Sequence, residues 1–189
     1  QRDAPAGQTG VLTLGAGARI SGRSVVLDST LNTENRGAVI KLPAVGGTLA
    51  LTGSTISVGE VSGNEGGLIF SNEALAALGN PSALTLKSYG SLNLYGTVTL
   101  GSTALERLTL DAIGIGGYRN AGKTQQLVAR NIVLSNSRLS PSDASAFAAG
   151  TGNGVLTVSA QTVSFGDTPQ ATGNSTGFAM RGFDQVSID

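Results

Sequence analysis

Pairs of aliphatic residues two positions apart, separated by turn-forming residues, recur along this 189-residue chain. Leu12-Thr13-Leu14, Leu49-Ala50-Leu51, Leu84-Thr85-Leu86, Leu92-Asn93-Leu94 and Val98-Thr99-Leu100 carry the pattern. So do Leu108-Thr109-Leu110, Ile132-Val133-Leu134, Leu156-Thr157-Val158 and the closing Val186-Ser187-Ile188. Alternation with period two turns one face of a strand inward and the other toward water. Such strands, broken by Gly, Asn or Ser, are short even for a β protein. The couplets also resemble one another: Leu12 to Ile20 and Leu84 to Leu92 share one offset, and Leu49 to Ile56 and Leu156 to Val163 share another. Internal repetition of this kind points to stacked units.

Two architectures accommodate many short strands. A sandwich favours strands of roughly 5–6 residues and tight hairpin turns such as Asn-Gly, of which Asn153-Gly154 is the clear case here. A parallel β-helix needs fewer residues per side and tolerates loops at its corners. At about 20–25 residues per turn the chain supplies roughly eight turns, each adding about 4.8 Å. The fold expected is therefore all-β, a right-handed parallel β-helix (solenoid) with short helical insertions at its corners, in a single unit over residues 1–189. Two segments carry helix grammar. Ser71 through Pro81 has a capping Ser71 or Asn72, Leu75 and Leu78 on one face, and Gly79 and Pro81 as the stop. Ser140 through Gly150 places Pro141 at the first helical position.

Composition narrows the chemistry. Twelve Lys and Arg balance twelve Asp and Glu, so no basic excess exists to neutralise a nucleic-acid backbone. Cys and His are both absent, which removes disulfides, thiolate ligands, the usual general base and the commonest metal ligand. No run of about 18 apolar residues predicts a membrane helix. Aromatic residues are 4%, leaving Leu, Val, Ile and Ala to build thin stacked layers. The opening Gln1-Arg2-Asp3-Ala4-Pro5 lacks an initiator Met and a signal peptide, and is read as the start of a piece of a longer protein.

One motif stands out. Gly117-Tyr118-Arg119-Asn120-Ala121-Gly122-Lys123-Thr124 fits the phosphate-binding loop pattern, with Leu108 to Ile115 as its strand and Gln125 to Arg130 as a helix start. That fold requires alternating strands and long helices, and the remaining chain does not supply them. Asp28, Asp111, Asp167 and Asp184 are scattered and read as solvated or turn-capping, although residues far apart in sequence can converge as glycosidase carboxylates do. Arg181-Gly182-Phe183-Asp184 is an interrupted Arg-Gly-Asp, and Asn174-Ser175-Thr176 a glycosylation sequon that reads as chance. Tyr89, Tyr95 and Tyr118 lie beside glycines and are candidates for an aromatic strip or for packing over a corner.

The run from Leu84-Thr85-Leu86 through Tyr89-Gly90, Leu92-Asn93-Leu94-Tyr95-Gly96 and Leu108-Thr109-Leu110-Asp111-Ala112 to Gly116-Gly117-Tyr118 resembles large exoproteins of the filamentous-haemagglutinin type. The resemblance implies a β-helix exported across the outer membrane by a partner transporter, then secreted or held at the bacterial cell surface. It implies adhesion to a glycan or protein on a host or neighbouring cell, without nucleic acid or membrane insertion. The family's Asn-Pro-Asn-Leu-like export motif is represented only by Asn80-Pro81, which implies an internal segment. The expectation is a structural and adhesive shaft, not an enzyme, with no catalytic, cofactor-binding or metal-ligating residue and no cofactor. The alternatives are a carbohydrate-active β-helix enzyme, a polysaccharide lyase or hydrolase, and a nucleotide binder built on the Gly117–Thr124 loop.

Overall fold

A computed structural model describes residues 10–29, 32–35, 38–43, 45–62, 65, 67–78, 81–137, 151–166 and 178–189. Strands β1 (Val11–Leu14), β2 (Arg19–Ser21), β3 (Ser24–Asp28), β4 (Asn32–Asn35) and β5 (Val39–Lys41) come first. β6 (Thr48–Gly53), β7 (Ile56–Gly59) and β8 (Leu68–Phe70) lead into helix α1 (Asn72–Ala77). Next come β9 (Ala83–Ser88), β10 (Leu92–Tyr95), β11 (Val98–Gly101) and β12 (Arg107–Asp111), in a regular stretch. It continues with β13 (Gly114–Tyr118), β14 (Thr124–Val128) and β15 (Asn131–Ser135). β16 (Gly154–Ser159), β17 (Thr162–Phe165), β18 (Ala179–Arg181) and β19 (Phe183–Ile188) complete it.

The described residues are all-β apart from that helix, and every strand pairing among them is parallel. Three larger ladders hold most strands: six in the order β17-β15-β12-β9-β6-β3, five as β18-β13-β10-β7-β8, and four as β11-β14-β16-β19. From β9 the chain visits the six-, five- and four-stranded ladders in turn, and β12, β13 and β14 repeat that order. After β15 and β16, strands β17, β18 and β19 repeat it again. Parallel neighbours cannot be joined by a hairpin, so from β9 onward each ladder grows when the chain returns from another one, whereas β8 pairs with β7 with no strand between them.

Register explains the couplets. In the six-stranded ladder Val25, Leu49, Leu84, Leu108, Ile132 and Val163 oppose one another, and Leu27, Leu51, Leu86, Leu110, Leu134 and Phe165 form a second column. Ser24 and Thr48, side by side, lie 24 residues apart. Leu84, Leu108 and Ile132 keep that spacing. The step from β6 to β9 is longer, 35 residues between Gly47 and the Ser82 hydroxyl that bonds its carbonyl, because β8 and α1 are inserted there. Leu86, Leu108, Leu110, Ile132 and Leu134 are fully buried. Each such side chain contributes roughly 1.5–3 kcal/mol relative to exposure. One continuous buried cluster draws on all three ladders, joining Leu108 and Leu134 to Ile56, Leu92 and Ile115 and to Val98, Leu127 and Leu156.

The structure adjusts two expectations. The predicted helix over residues 71–81 is observed as Asn72–Ala77, with the Ser71 hydroxyl accepting from the Ala74 N–H at 3.1 Å. Glu73 sits in its first turn, where the Ser71 hydroxyl holds the carboxyl below its ordinary pKa. The shared offsets mislead: Leu12 and Leu84 belong to different ladders, and so do Leu49 and Leu156. Leu49 and Leu84 are the true register partners, as are Ile56 and Leu92, although their offsets differ by one residue. The helix expected over 140–150 lies outside the described residues.

Candidate functional site

The corner between β13 and β14 holds the Gly117–Thr124 motif, and its geometry is that of a strand-to-strand turn. Tyr118 ends β13, and Arg119 takes a left-handed backbone conformation (φ 49°). The Lys123 N–H closes the turn on the Asn120 carbonyl at 2.8 Å, with Gly122 at φ 65°. A side chain at φ > 0 is strained, so Gly122 serves the turn. Gly117 serves a close approach: a Cβ there would meet the Gly182 carbonyl oxygen at 2.4 Å and Asn120 Nδ2 at 2.6 Å. The turn leads into β14, a strand, where a phosphate-binding loop requires a helix N-terminus. The helix start expected over Gln125 to Arg130 is therefore corrected to an extended segment, because Gln125 and Leu127 both turn inward along it.

Beneath this corner lies a buried polar group. Gln125 is fully buried in a column between Val98 and Leu156. Its Nε2 donates to the Gly96 carbonyl at 2.9 Å, and its Oε1 accepts from Asn120 Nδ2 at 3.2 Å. Asn120, also fully buried, donates to the Gly182 carbonyl at 3.1 Å and so ties this corner to the start of β19. Burying amides is tolerable only with such partners.

Above it, charge and aromatic surface gather. The rings of Tyr95 and Tyr118, register partners in β10 and β13, stack with centroids 5.0 Å apart and 19° between planes. The Arg119 guanidinium lies over the Tyr95 ring at 4.9 Å, a cation–π arrangement. Arg119 also donates to the Glu60 carbonyl at 2.9 Å and approaches Glu65 at 3.5 Å. Lys123 Nζ meets Glu60 at 2.7 Å, and the other Glu60 oxygen accepts the Thr97 N–H at 3.2 Å. The Lys123 hydrogen bond, then the Thr97 one, hold the Glu60 carboxyl below the usual carboxylate range. Burial pushes the Tyr95 phenol up. Lys123, the residue a phosphate loop would commit to its ligand, is here paired with a carboxylate.

The other singled-out residues are dispersed. Tyr89 does not join the tyrosine stack; its hydroxyl reaches Asp28 at 3.5 Å. Asp111 is buried beside Lys87 at 2.9 Å and accepts from the Ser137 N–H at 2.8 Å and from its hydroxyl. Asp184 lies exposed in β19, while Asp167 and Asn174-Ser175-Thr176 fall outside the described residues. Arg181 and Phe183 belong to different strands, so the interrupted Arg-Gly-Asp is a connection between ladders. Among the described residues no group of three or more Asp or Glu is placed to hold a metal ion. No helix among them is long and apolar enough to cross a membrane.

Sequence reasoning missed Glu60, Glu65 and Gln125. Glu60 meets Lys123 across 63 residues, a contact that only register creates. A signal for Gln125 did exist, since the alternation places it at an inward position of Thr124-Gln125-Gln126-Leu127. No family model, curated protein or solved structure matches the chain.

Proposed function

We propose that the chain is a right-handed parallel β-helix and acts as a structural and adhesive shaft segment of a secreted bacterial exoprotein. The observation that carries this reading is the ordered circuit through three parallel ladders, repeated at 24 residues with aliphatic side chains in register. Right-handedness is the general rule for parallel crossovers. Each circuit adds about 4.8 Å and buries its apolar face on the one before, so the structure lengthens without a new core.

The disposition of the charged groups supports a structural role. Asp111 is engaged by Lys87 and Ser137, and Glu60 by Lys123 and Thr97, which leaves these carboxylates holding corners together. In the filamentous-haemagglutinin-like setting, a partner transporter would carry the full-length protein across the outer membrane. The exposed Arg119, which lies over Tyr95, and the half-buried Tyr118 stacked on Tyr95 would meet a glycan or protein on a host or neighbouring cell. A carbohydrate-active enzyme is the second reading, favoured by one observation: Glu60 and Glu65 both adjoin Arg119 beside stacked tyrosines.

One experiment separates the two. Fluorescently labelled protein is applied to cultured cells and a glycan array, and in parallel incubated with uronic-acid and neutral polysaccharides. The shaft reading expects saturable surface binding, weakened by Tyr118→Ala and Arg119→Ala, with no new reducing or unsaturated ends. Turnover that Glu60→Gln abolishes would replace it with the enzymatic reading.

A further inference from the structure

Between α1 and β11 lies a cavity of about 520 Å³, within the roughly 300–1,000 Å³ range of ligand sites. Leu78, Leu84, Leu100 and Leu105 line it, with Asn72 and Ser102 among its polar groups. β11 is the edge strand of the four-stranded ladder: β14 pairs with one side, and α1 stands where the next strand would be.

The backbone of β11 shows what the gap lacks. Thr97, the residue just before it, is satisfied on the α1 side. Its N–H donates to Glu60 and its carbonyl accepts from Asn72 Nδ2 at 3.0 Å. Backbone groups of alternate residues in a strand point to the same neighbour, so the Thr99 N–H and C=O point that way as well. Among the described residues neither has a partner on that side. An edge strand with unpaired groups is a template for another extended chain.

We propose that this gap is a binding site for an extended peptide, which adds to β11 as a parallel strand by hydrogen bonding to Thr99. Every strand pairing among the described residues is parallel, and β11 already accepts one parallel neighbour in β14. The peptide residue opposite Leu100 turns inward onto Leu78, Leu84 and Leu105 and must be aliphatic. The residue opposite Thr99 turns to solvent and can be polar. This is the pattern of β16, Gly-Val-Leu-Thr-Val-Ser. The site depends on local geometry alone and stands whether or not the adhesive reading holds.

The test uses a fluorescein-labelled, end-capped peptide of the β16 sequence, with fluorescence anisotropy as the readout. Saturable binding to the whole chain is expected, at least tenfold weaker for a scrambled peptide that loses the alternation. Thr99→Pro removes the donor on the open side of an edge strand, where proline is tolerated. It should weaken binding at least tenfold without lowering the melting temperature. Ala76→Trp, on the exposed side of α1 facing the cavity, should block the site. Absence of binding at millimolar peptide, or equal binding of the scrambled peptide, overturns the proposal. So does unfolding by Thr99→Pro, since it would mean the donor is already engaged. If Ala76→Trp blocks peptide and the apolar dye anilinonaphthalene sulfonate alike while Thr99→Pro changes neither, the site is one for small apolar molecules and the proposal fails.

Discussion

The six-stranded and four-stranded ladders share the same alternation, yet one is uniform inside and the other is interrupted. In the first, aliphatic columns run from Val25 to Val163 and from Leu27 to Leu134 before ending in Phe165. In the second, Gln125 occupies a position flanked by Val98 and Leu156, and α1 stands in place of a strand beside β11. Where stacking alone suffices, the interior is Leu and Ile. Where the chain turns a corner over Asn120 or inserts a helix, polar groups enter the interior and a cavity opens. The interrupted ladder therefore carries the buried amide and the cavity, and the uniform one carries the unbroken aliphatic columns.

The largest expected effect lies in the uniform ladder. Leu108→Ala should lower unfolding free energy by about 3 kcal/mol in denaturant titration, from lost burial and the cavity left behind. Its outward neighbour Thr109→Ala should stay within about 0.5 kcal/mol. Equal effects at the two positions would break the inside–outside assignment.

Gln125→Leu comes next and sharpens the contrast between ladders. If Gln125 merely fills a column, leucine should be neutral or stabilising. The hydrogen bonds to Gly96 and Asn120 predict a loss of about 2 kcal/mol, because buried partners are left unsatisfied. Chemical denaturation of both proteins decides between these outcomes.

Smaller effects belong to the corner above. Because burial raises the Tyr95 pKa, its contribution to stability is complete below the ordinary phenol value and is lost as pH climbs through the raised one. The difference between wild type and Tyr95→Phe in phenolate absorbance should therefore titrate above pH 10.0. A midpoint at or below that value would contradict the burial. Smallest is Lys123→Ala, since the ion pair is exposed and screened. Melting should scarcely change at neutral pH, while the Glu60 carboxyl, followed by NMR, should move back up toward its usual pKa. Glu60 is held low in the folded chain, so its contribution is present above the unfolded pKa and lost as pH falls through the folded one. An unchanged Glu60 titration in Lys123→Ala would deny that Lys123 is the main cause.

The contrast between ladders also explains what the sequence made legible. Leu84, Leu86, Leu108 and Leu110 announce themselves through period-two alternation, which depends only on the strand's own geometry. Ser71 and the Gly79-Asn80-Pro81 stop announce the helix by local capping chemistry. Register was only half legible: equal offsets at Leu12 and Leu84 arise in different ladders, because loop lengths coincide while the sides visited differ. Glu60 and Lys123 meet only once β7, β10 and β13 are aligned, and nothing local to either residue encodes that. The Gly117–Thr124 motif misleads for the opposite reason. Its glycines answer a close approach and a tight turn, the same backbone demands a phosphate loop makes.

The central claim is that strands from successive circuits lie side by side in parallel register. The chain contains no cysteine, so pairs can be introduced cleanly. Thr85 and Thr109 are register partners one strand apart, and Val133 is the partner of Thr109 on the next strand. Dibromobimane, which fluoresces on bridging two nearby thiols, should link Thr85→Cys/Thr109→Cys across about 4.8 Å and fail with Thr85→Cys/Val133→Cys at about twice that distance. Equal labelling of both pairs, or of the second alone, would contradict the ladder.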